Sequence, residues 1–207
     1  MGAVAILLLS FAVGSVPTAN LFARAARGVD LRDVGGGTVS GTSLYRVAGF
    51  VPLALAGILD IAKGALGPLL AGTDRPVLAA FAGGLAVAGH DWSPFLRGAG
   101  GRGIAPAIGA LLVNAWPGAV LLVVGLTVGR LARQTALVAF VAEIALVPVL
   151  ALTNGSDGAL AGAAVALPML LKRLLGNTPP TGPSARRDRS RVYLHRLLFD
   201  RDPVPEL

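Results

Sequence analysis

Cysteine is absent from this 207-residue chain, which rules out disulfides and thiolate-bound metal. Two histidines and scattered acids show no recognisable ligand spacing, so no metal site is expected. Charge is scarce as well. Asp, Glu, Lys and Arg make up 14% of residues, against about 25% in an average soluble domain, which leaves too little polar surface for a water-soluble fold. Aromatic residues reach only 5%, too few for a base-stacking platform, and no nucleic-acid motif is present. The net charge of +7 sits beside apolar runs, where basic residues set orientation and meet anionic lipid. Membrane lipids are therefore expected partners, and nucleic acid is not.

Apolar residues, 54% of the chain, are abundant, together with 28 Gly and 14 Pro, and mean hydropathy is +0.71. This composition reads as close-packed membrane helices. The opening MGAVAILLLSFAVGSVPTANLFA lacks a positive start and a clear small-residue cleavage site, which makes it a retained span rather than a signal peptide. Apolar segments run at about 3–23, 49–71, 78–96, 103–115, 117–129, 134–152 and 157–171. Residues 103–129 make either one tilted helix or two short ones broken at Trp116-Pro117-Gly118.

Basic residues decide between these. Arginines crowd loop 24–46 (Arg24, Arg27, Arg32, Arg46), loop 97–102 (Arg97, Arg102) and segment 130–133 (Arg130, Arg133), and more basic residues follow from Lys172. With seven spans, these groups share one face, which the positive-inside rule makes cytoplasmic. With six, the basic tail lies outside. The expectation is an all-α, polytopic integral membrane bundle of about seven transmembrane helices, N-terminus out and C-terminus in. The membrane domain is expected at 1–175 and a basic cytoplasmic tail at 176–207. In that tail, VYLHRLLFD (192–200) reads as a short amphipathic surface helix with His195 as an interfacial polar residue.

Between the first two spans lies GVDLRDVGGGTVSGTSLYRVAG (28–49). Backbone N–H groups around Gly35, Gly36, Gly37 and Gly41 can converge on a phosphate. Thr38, Ser40, Thr42 and Ser43 add hydroxyls, and Arg32 and Arg46 add fixed positive charge. The competing reading is a flexible surface turn. Gly98-Ala99-Gly100-Gly101-Arg102-Gly103, just before the fourth span, repeats the same chemistry at a helix N-terminus. Neither loop is a Walker A motif, since Thr42-Ser43 stands where Lys-Ser/Thr is required.

Ionisable residues inside spans are costly, at about 2.5–3.5 kcal/mol each on insertion scales, so they face protein or water. Asp60 and Lys63 share a helical face and read as a structural intramembrane ion pair. Glu143 either pairs with Lys63 or stays protonated. His90 and Asp91 are neighbours whose side chains diverge by about 100° on a helix, so His90 either works with Asp91 as base and orienter or holds the next loop.

GSVPTANL (14–21), GVDLR (28–32), the glycine loop ending in Arg46, DIAKGA (60–65), GH (89–90) and GGRG (100–103) occur in an order that resembles the bacterial acyl-phosphate-dependent glycerol-3-phosphate acyltransferases. The resemblance is strong over about 13–109, loose over 110–175 and absent in the tail. It implies a multi-pass enzyme of the bacterial inner membrane, with seven spans. The implied reaction moves an acyl group from acyl phosphate to the 1-hydroxyl of glycerol 3-phosphate, giving lysophosphatidic acid, without a metal, a cofactor or a covalent acyl-enzyme. It implies catalytic roles for Arg46, Arg102 and Ser43, the two arginines gripping the glycerol 3-phosphate. Substrate contacts are implied at Gly35, Gly36, Gly37, Thr38, Ser40, Gly41 and Thr42, which would hold the acyl-phosphate headgroup, and at His90, Gly100, Gly101 and Gly103.

The chain also departs from the family pattern. Gly36 replaces a serine and two asparagines of the first loop are missing. Arg102 stands where the family has lysine, and Leu167 and Leu170 replace a His and an Asn before Arg173-Leu174. Two other readings stay open on the residues alone. One is a weakened relative that binds acyl phosphate or phospholipid in a regulatory or scaffolding role. The other is a small transporter relaying charge through Asp60, Lys63 and Glu143, although no inverted repeat is visible.

Overall fold

The computed structural model describes residues 1–35, 37–177 and 189–201, and among these every regular element is a helix. α1 (Ala3–Gly14) and α2 (Thr18–Arg27) form one apolar rod interrupted at Ser15-Val16-Pro17. Proline there lacks a backbone donor and disfavours helical geometry in the residue before it. After a 3-10 turn at Leu31–Asp33 come α3 (Gly41–Ala48), α4 (Phe50–Ala71), α5 (Pro76–Asp91), α6 (Ile104–Asn114), α7 (Trp116–Leu131), α8 (Thr135–Leu175) and α9 (Arg189–Phe199).

Segment 103–129 is two helices, broken at Ala115 (φ −162°, ψ 77°), with Pro117 in the first turn of α7, where its missing N–H costs nothing. α8 is a hairpin of two arms. At Gly155 the backbone takes φ 65°, ψ −152°, a conformation costly for any residue with a Cβ. Beyond it the chain returns along itself, so that Gly162 lies against the Leu146 backbone and Arg173 reaches Glu143 and the Ala136 carbonyl.

Three helices, Ala3–Arg27, Phe50–Ala71 and Thr135–Leu175, are long and apolar enough to cross a membrane, and α6 and α7 are shorter apolar helices. At ~1.5 Å per residue, the 22 residues of α4 cover a ~30 Å hydrocarbon core. The outer surface is apolar: Leu8, Phe50, Ile58, Trp116 and Leu152 all point outward, as side chains that face lipid do.

Inside, small residues bring backbones together. Gly64 of α4 abuts the Pro106 carbonyl of α6, and Gly109 of α6 abuts the Ile61 carbonyl of α4. A methyl group at either would overlap backbone, which is the packing that drives helix association in lipid. The main core gathers Val87, Ile108, Leu111, Leu146, Leu150 and Met169 among α5, α6 and α8. A second cluster, Ala19, Ala23, Leu31, Val39, Leu44 and Leu96, packs the loop after α2, and with it α3, onto the turn after α5. That small core brings the two glycine-rich segments together.

Candidate active site

The first glycine loop is fastened at its entrance. Asn20 of α2, 2% exposed, accepts the Leu31 N–H at 2.7 Å. Asp30 accepts the Arg32 N–H at 3.0 Å and pairs with the guanidinium groups of Arg32 (2.7 Å) and Arg24. The Arg32 side chain above all holds the Asp30 carboxyl well below the usual carboxylate range, with Arg24 adding to it and burial opposing. At the exit, Ser40 caps α3 by accepting the Ser43 N–H at 3.3 Å. The Ser43 hydroxyl donates back to the Thr38 carbonyl at 2.9 Å, so Ser43 closes its own loop. Thr42 and Arg46 are exposed on α3, and Arg46 makes no hydrogen bond or ion pair among the described residues. Gly36 lies outside the described residues.

The second loop folds under the end of α5. Ser93 donates its hydroxyl to the Ser15 carbonyl at 2.6 Å, tying the turn to the first span. Gly100 and Gly101 pass so close to His90 that a methyl group on either would overlap it: on Gly101 the imidazole Nε2, on Gly100 the backbone carbonyl. Changing Gly101 to alanine must therefore push the His90 ring from its seat.

The two loops meet. Val39 N–H donates to the Gly100 carbonyl at 3.2 Å. Asn177, just past α8, donates to the carbonyls of Gly37 (3.1 Å) and Gly100 (3.0 Å) and accepts the Gly100 N–H at 3.1 Å. A small cleft opens at this junction, lined by Pro17, Thr18, Val39, His90, Gly100 and Gly101. Many loop amides are used internally, those of Gly37, Val39, Ser40, Gly100 and Gly101 all donating to protein carbonyls or to Asn177. Among the amides left for a ligand are those of the first turns of α3 (Gly41, Thr42) and α6 (Ile104, Ala105), since the first N–H groups of a helix have no intrahelical acceptor.

Several charged side chains are buried in the bundle. Asp60 pairs with Lys63 at 2.7 Å and accepts the Thr18 hydroxyl, while Lys63 donates to the Val16 carbonyl at 2.8 Å. This pair locks the break between α1 and α2 onto α4. His90 Nδ1 is 3.7 Å from Asp60, so His90 faces Asp60 and not its neighbour Asp91. Asp91 is fully buried, with neither carboxylate oxygen hydrogen-bonded among the described residues. Gly103 caps α6 beside it. Arg102 donates to the Lys172 carbonyl at 3.2 Å, and its Nε lies 2.6 Å from Asp200. That N–H is not aimed at the oxygen, so the contact is an ion pair rather than a hydrogen bond. Glu143 pairs not with Lys63 but with Arg173, in a two-point contact at 2.9 and 3.2 Å.

α9 overlaps the tail segment read as a surface helix, and it docks on the bundle. Arg196 donates to the Leu175 carbonyl at 2.7 Å and Arg173 donates to the Leu197 carbonyl at 3.3 Å. His195 contacts the Arg201 carbonyl at 2.8 Å. Residues 178–188 and 202–207 of that tail lie outside the described residues. Sequence reasoning missed Thr18, Asn20, Asn177 and Asp200. Signals existed for Thr18 and Asn20, which lie inside the GSVPTANL segment, and for Asn177, a Gly-Asn pair closing a basic-ended helix.

Long apolar helices, a hairpin with outward-facing leucines, and spans whose ionisable residues Asp60, Lys63 and Glu143 are buried define an integral membrane protein that crosses the bilayer several times. The model of the family described as glycerol-3-phosphate acyltransferase matches residues 4–177. A glycerol-3-phosphate acyltransferase of Synechococcus sp. (strain CC9902) is 35% identical over 84% of this chain and 92% of its own length. One from Jannaschia sp. (strain CCS1) is 35% identical over 82% and 84%. The crystal structure of PlsY (YgiH), an integral membrane glycerol 3-phosphate acyltransferase, in its glycerol 3-phosphate form, superposes with TM-score 0.75 at 23% identity, covering 94% of this chain and 93% of that one. The chain belongs to the glycerol-3-phosphate acyltransferase family.

Proposed function

We propose that this protein transfers a fatty acyl group from acyl phosphate to the 1-hydroxyl of glycerol 3-phosphate, producing lysophosphatidic acid in the inner membrane of a bacterial cell. Family membership supports the reaction class. The observation that carries the site assignment is the junction of the two glycine loops through Val39, Gly100 and Asn177, which joins the segments that lead into the N-termini of α3 and α6. Seven passes follow if α1 and α2 together, α4, α5, α6, α7 and each arm of α8 cross once. The basic loops then share the cytoplasmic face with the tail 176–207, leaving 1–175 as the membrane domain.

The acyl-phosphate headgroup sits at the first turn of α3, against Gly41, Thr42 and the loop Gly35–Ser43. The acceptor's phosphate sits at the first turn of α6, against Arg102, with Arg46 reaching from α3. The glycerol C1 oxygen attacks the acyl carbonyl carbon and the bond from that carbon to the phosphate oxygen breaks. Inorganic phosphate leaves, carrying the proton lost by the hydroxyl. Positioning and electrostatic stabilisation of the departing phosphate supply the acceleration. The test is purified protein in micelles given acyl phosphate and labelled glycerol 3-phosphate. Lysophosphatidate and phosphate should appear in equal amounts, and their absence sinks the proposal.

Asp200 already pairs with Arg102, so the acceptor phosphate must displace it. Asp200→Asn should lower the KM for glycerol 3-phosphate by about two- to fivefold, the value of a partly exposed ion pair, and leave the acyl-phosphate KM unchanged. A rise in the acceptor KM would remove Arg102 from the acceptor site.

A further inference from the structure

Asn177 lies outside the segments on which the family resemblance was read, yet both ends of its carboxamide are bonded. Its oxygen takes the Gly100 N–H at 3.1 Å, and its nitrogen gives one hydrogen to Gly37 at 3.1 Å and one to Gly100 at 3.0 Å. An amide side chain offers two donors and an acceptor, and all three kinds of bond are made to backbone from segments 140 and 77 residues away in sequence. Among the described residues it is the one side chain that hydrogen-bonds both glycine loops.

Its own position is set by α8. Gly176 caps that helix at φ 68°, turning Asn177 back toward the bundle. Four residues earlier Arg173 is anchored by Glu143, and Lys172 donates to the Gly98 carbonyl at 3.2 Å. The second loop is therefore held to α8 at several points. The first loop reaches α8 through Asn177, and reaches the second loop by one further backbone bond, Val39 to Gly100.

We infer that Asn177 is a positioning residue that sets the distance between the two glycine loops, and with it the separation of donor and acceptor. This rests on the proposed function, in which one loop holds each substrate. Near-attack geometry needs reacting atoms about 3–3.5 Å apart, and a shift of about 1 Å can cost a hundredfold in rate. Loosening a bridge between two substrate sites changes their mutual placement and leaves each site's own contacts in place. Asn177 thus acts on turnover and not on the affinity for either substrate alone.

The experiment compares Asn177→Ala, the isosteric Asn177→Asp and Asn177→Gln in micelles, by steady-state kinetics and by hydrogen exchange. Asn177→Asp keeps the acceptor but turns an oxygen toward two carbonyls, so it separates the hydrogen bonds from side-chain volume. For both Ala and Asp, kcat should fall about 10- to 100-fold, with each KM within threefold of the unaltered protein. Amide exchange should rise together in 37–40 and 98–101. Asn177→Gln keeps both polar groups on a longer stem and should recover part of the turnover. The inference is overturned by unaltered kcat in Asn177→Ala, by a loss expressed in KM alone, or by protection unchanged in either loop. If the unaltered protein makes no lysophosphatidate, the reaction assignment fails, and exchange still decides whether Asn177 clamps the loops.

Discussion

Arg102→Ala should lose acyl transfer by a hundredfold or more in kcat/KM for glycerol 3-phosphate, while the thermal midpoint in detergent moves little. Hydrogen bonds to a charged group are worth about 1.5–3 kcal/mol each, and a guanidinium presents two in parallel to a phosphate. Two such bonds lost correspond to at least two factors of ten, at about 1.4 kcal/mol per factor. Stability should survive, because Arg102 contributes one bond to the Lys172 carbonyl and one ion pair to Asp200. Lysine, the residue the family resemblance places at this position, restores a point charge without the fork. Arg102→Lys should therefore retain turnover within about tenfold of the arginine form. An Arg102→Ala enzyme with unaltered acceptor kinetics would place the glycerol 3-phosphate elsewhere.

Glu143→Ala should act in the opposite way, unfolding the bundle before it touches chemistry. Glu143 and Arg173 are 1% and 3% exposed at their side chains, and removing one member of a buried pair leaves an uncompensated charge at about 3–5 kcal/mol. Arg173 also donates to Ala136 and Leu197 carbonyls, so its displacement releases both the hairpin and α9. Thermal unfolding in detergent reads the loss. The double replacement Glu143→Leu with Arg173→Met should recover much of it, since an apolar pair of similar volume avoids the desolvation cost altogether. A double variant no more stable than Glu143→Ala would show that the carbonyl contacts of Arg173 dominate instead.

Local patterns account for most of the architecture. Apolar run lengths mark the spans, Trp116-Pro117-Gly118 marks a break, and the scarcity of charge marks the solvent as lipid. The reading of 103–129 as two helices came from counting arginines, and the break at Ala115 agrees with it. Partner choice was not legible. Glu143 had Lys63 as a candidate from the sequence, but Lys63 is satisfied by Asp60 on its own helix, and the α8 hairpin delivers Arg173 instead. His90 adjoins Asp91 along the chain yet faces Asp60 across it, because consecutive side chains on a helix diverge.

The site divides along the same line. Glycine spacing marked both loops as candidates to hold an anion, and that signal is local. The spending of individual amides is not. Val39 and Gly100 turn their N–H groups on the protein once the loops touch, which takes them from any ligand and leaves the helix first turns as the proposed places for phosphate. Composition and short-range pattern settled that the chain is helical, lies in a bilayer and carries two glycine-rich turns, because those properties depend on residues within a few positions of one another. Tertiary packing alone chose which charge meets which, brought Asn177 and Asp200 to the turns, and closed loops separated by some sixty residues, because such contacts depend on how whole helices stack and no local signal encodes them.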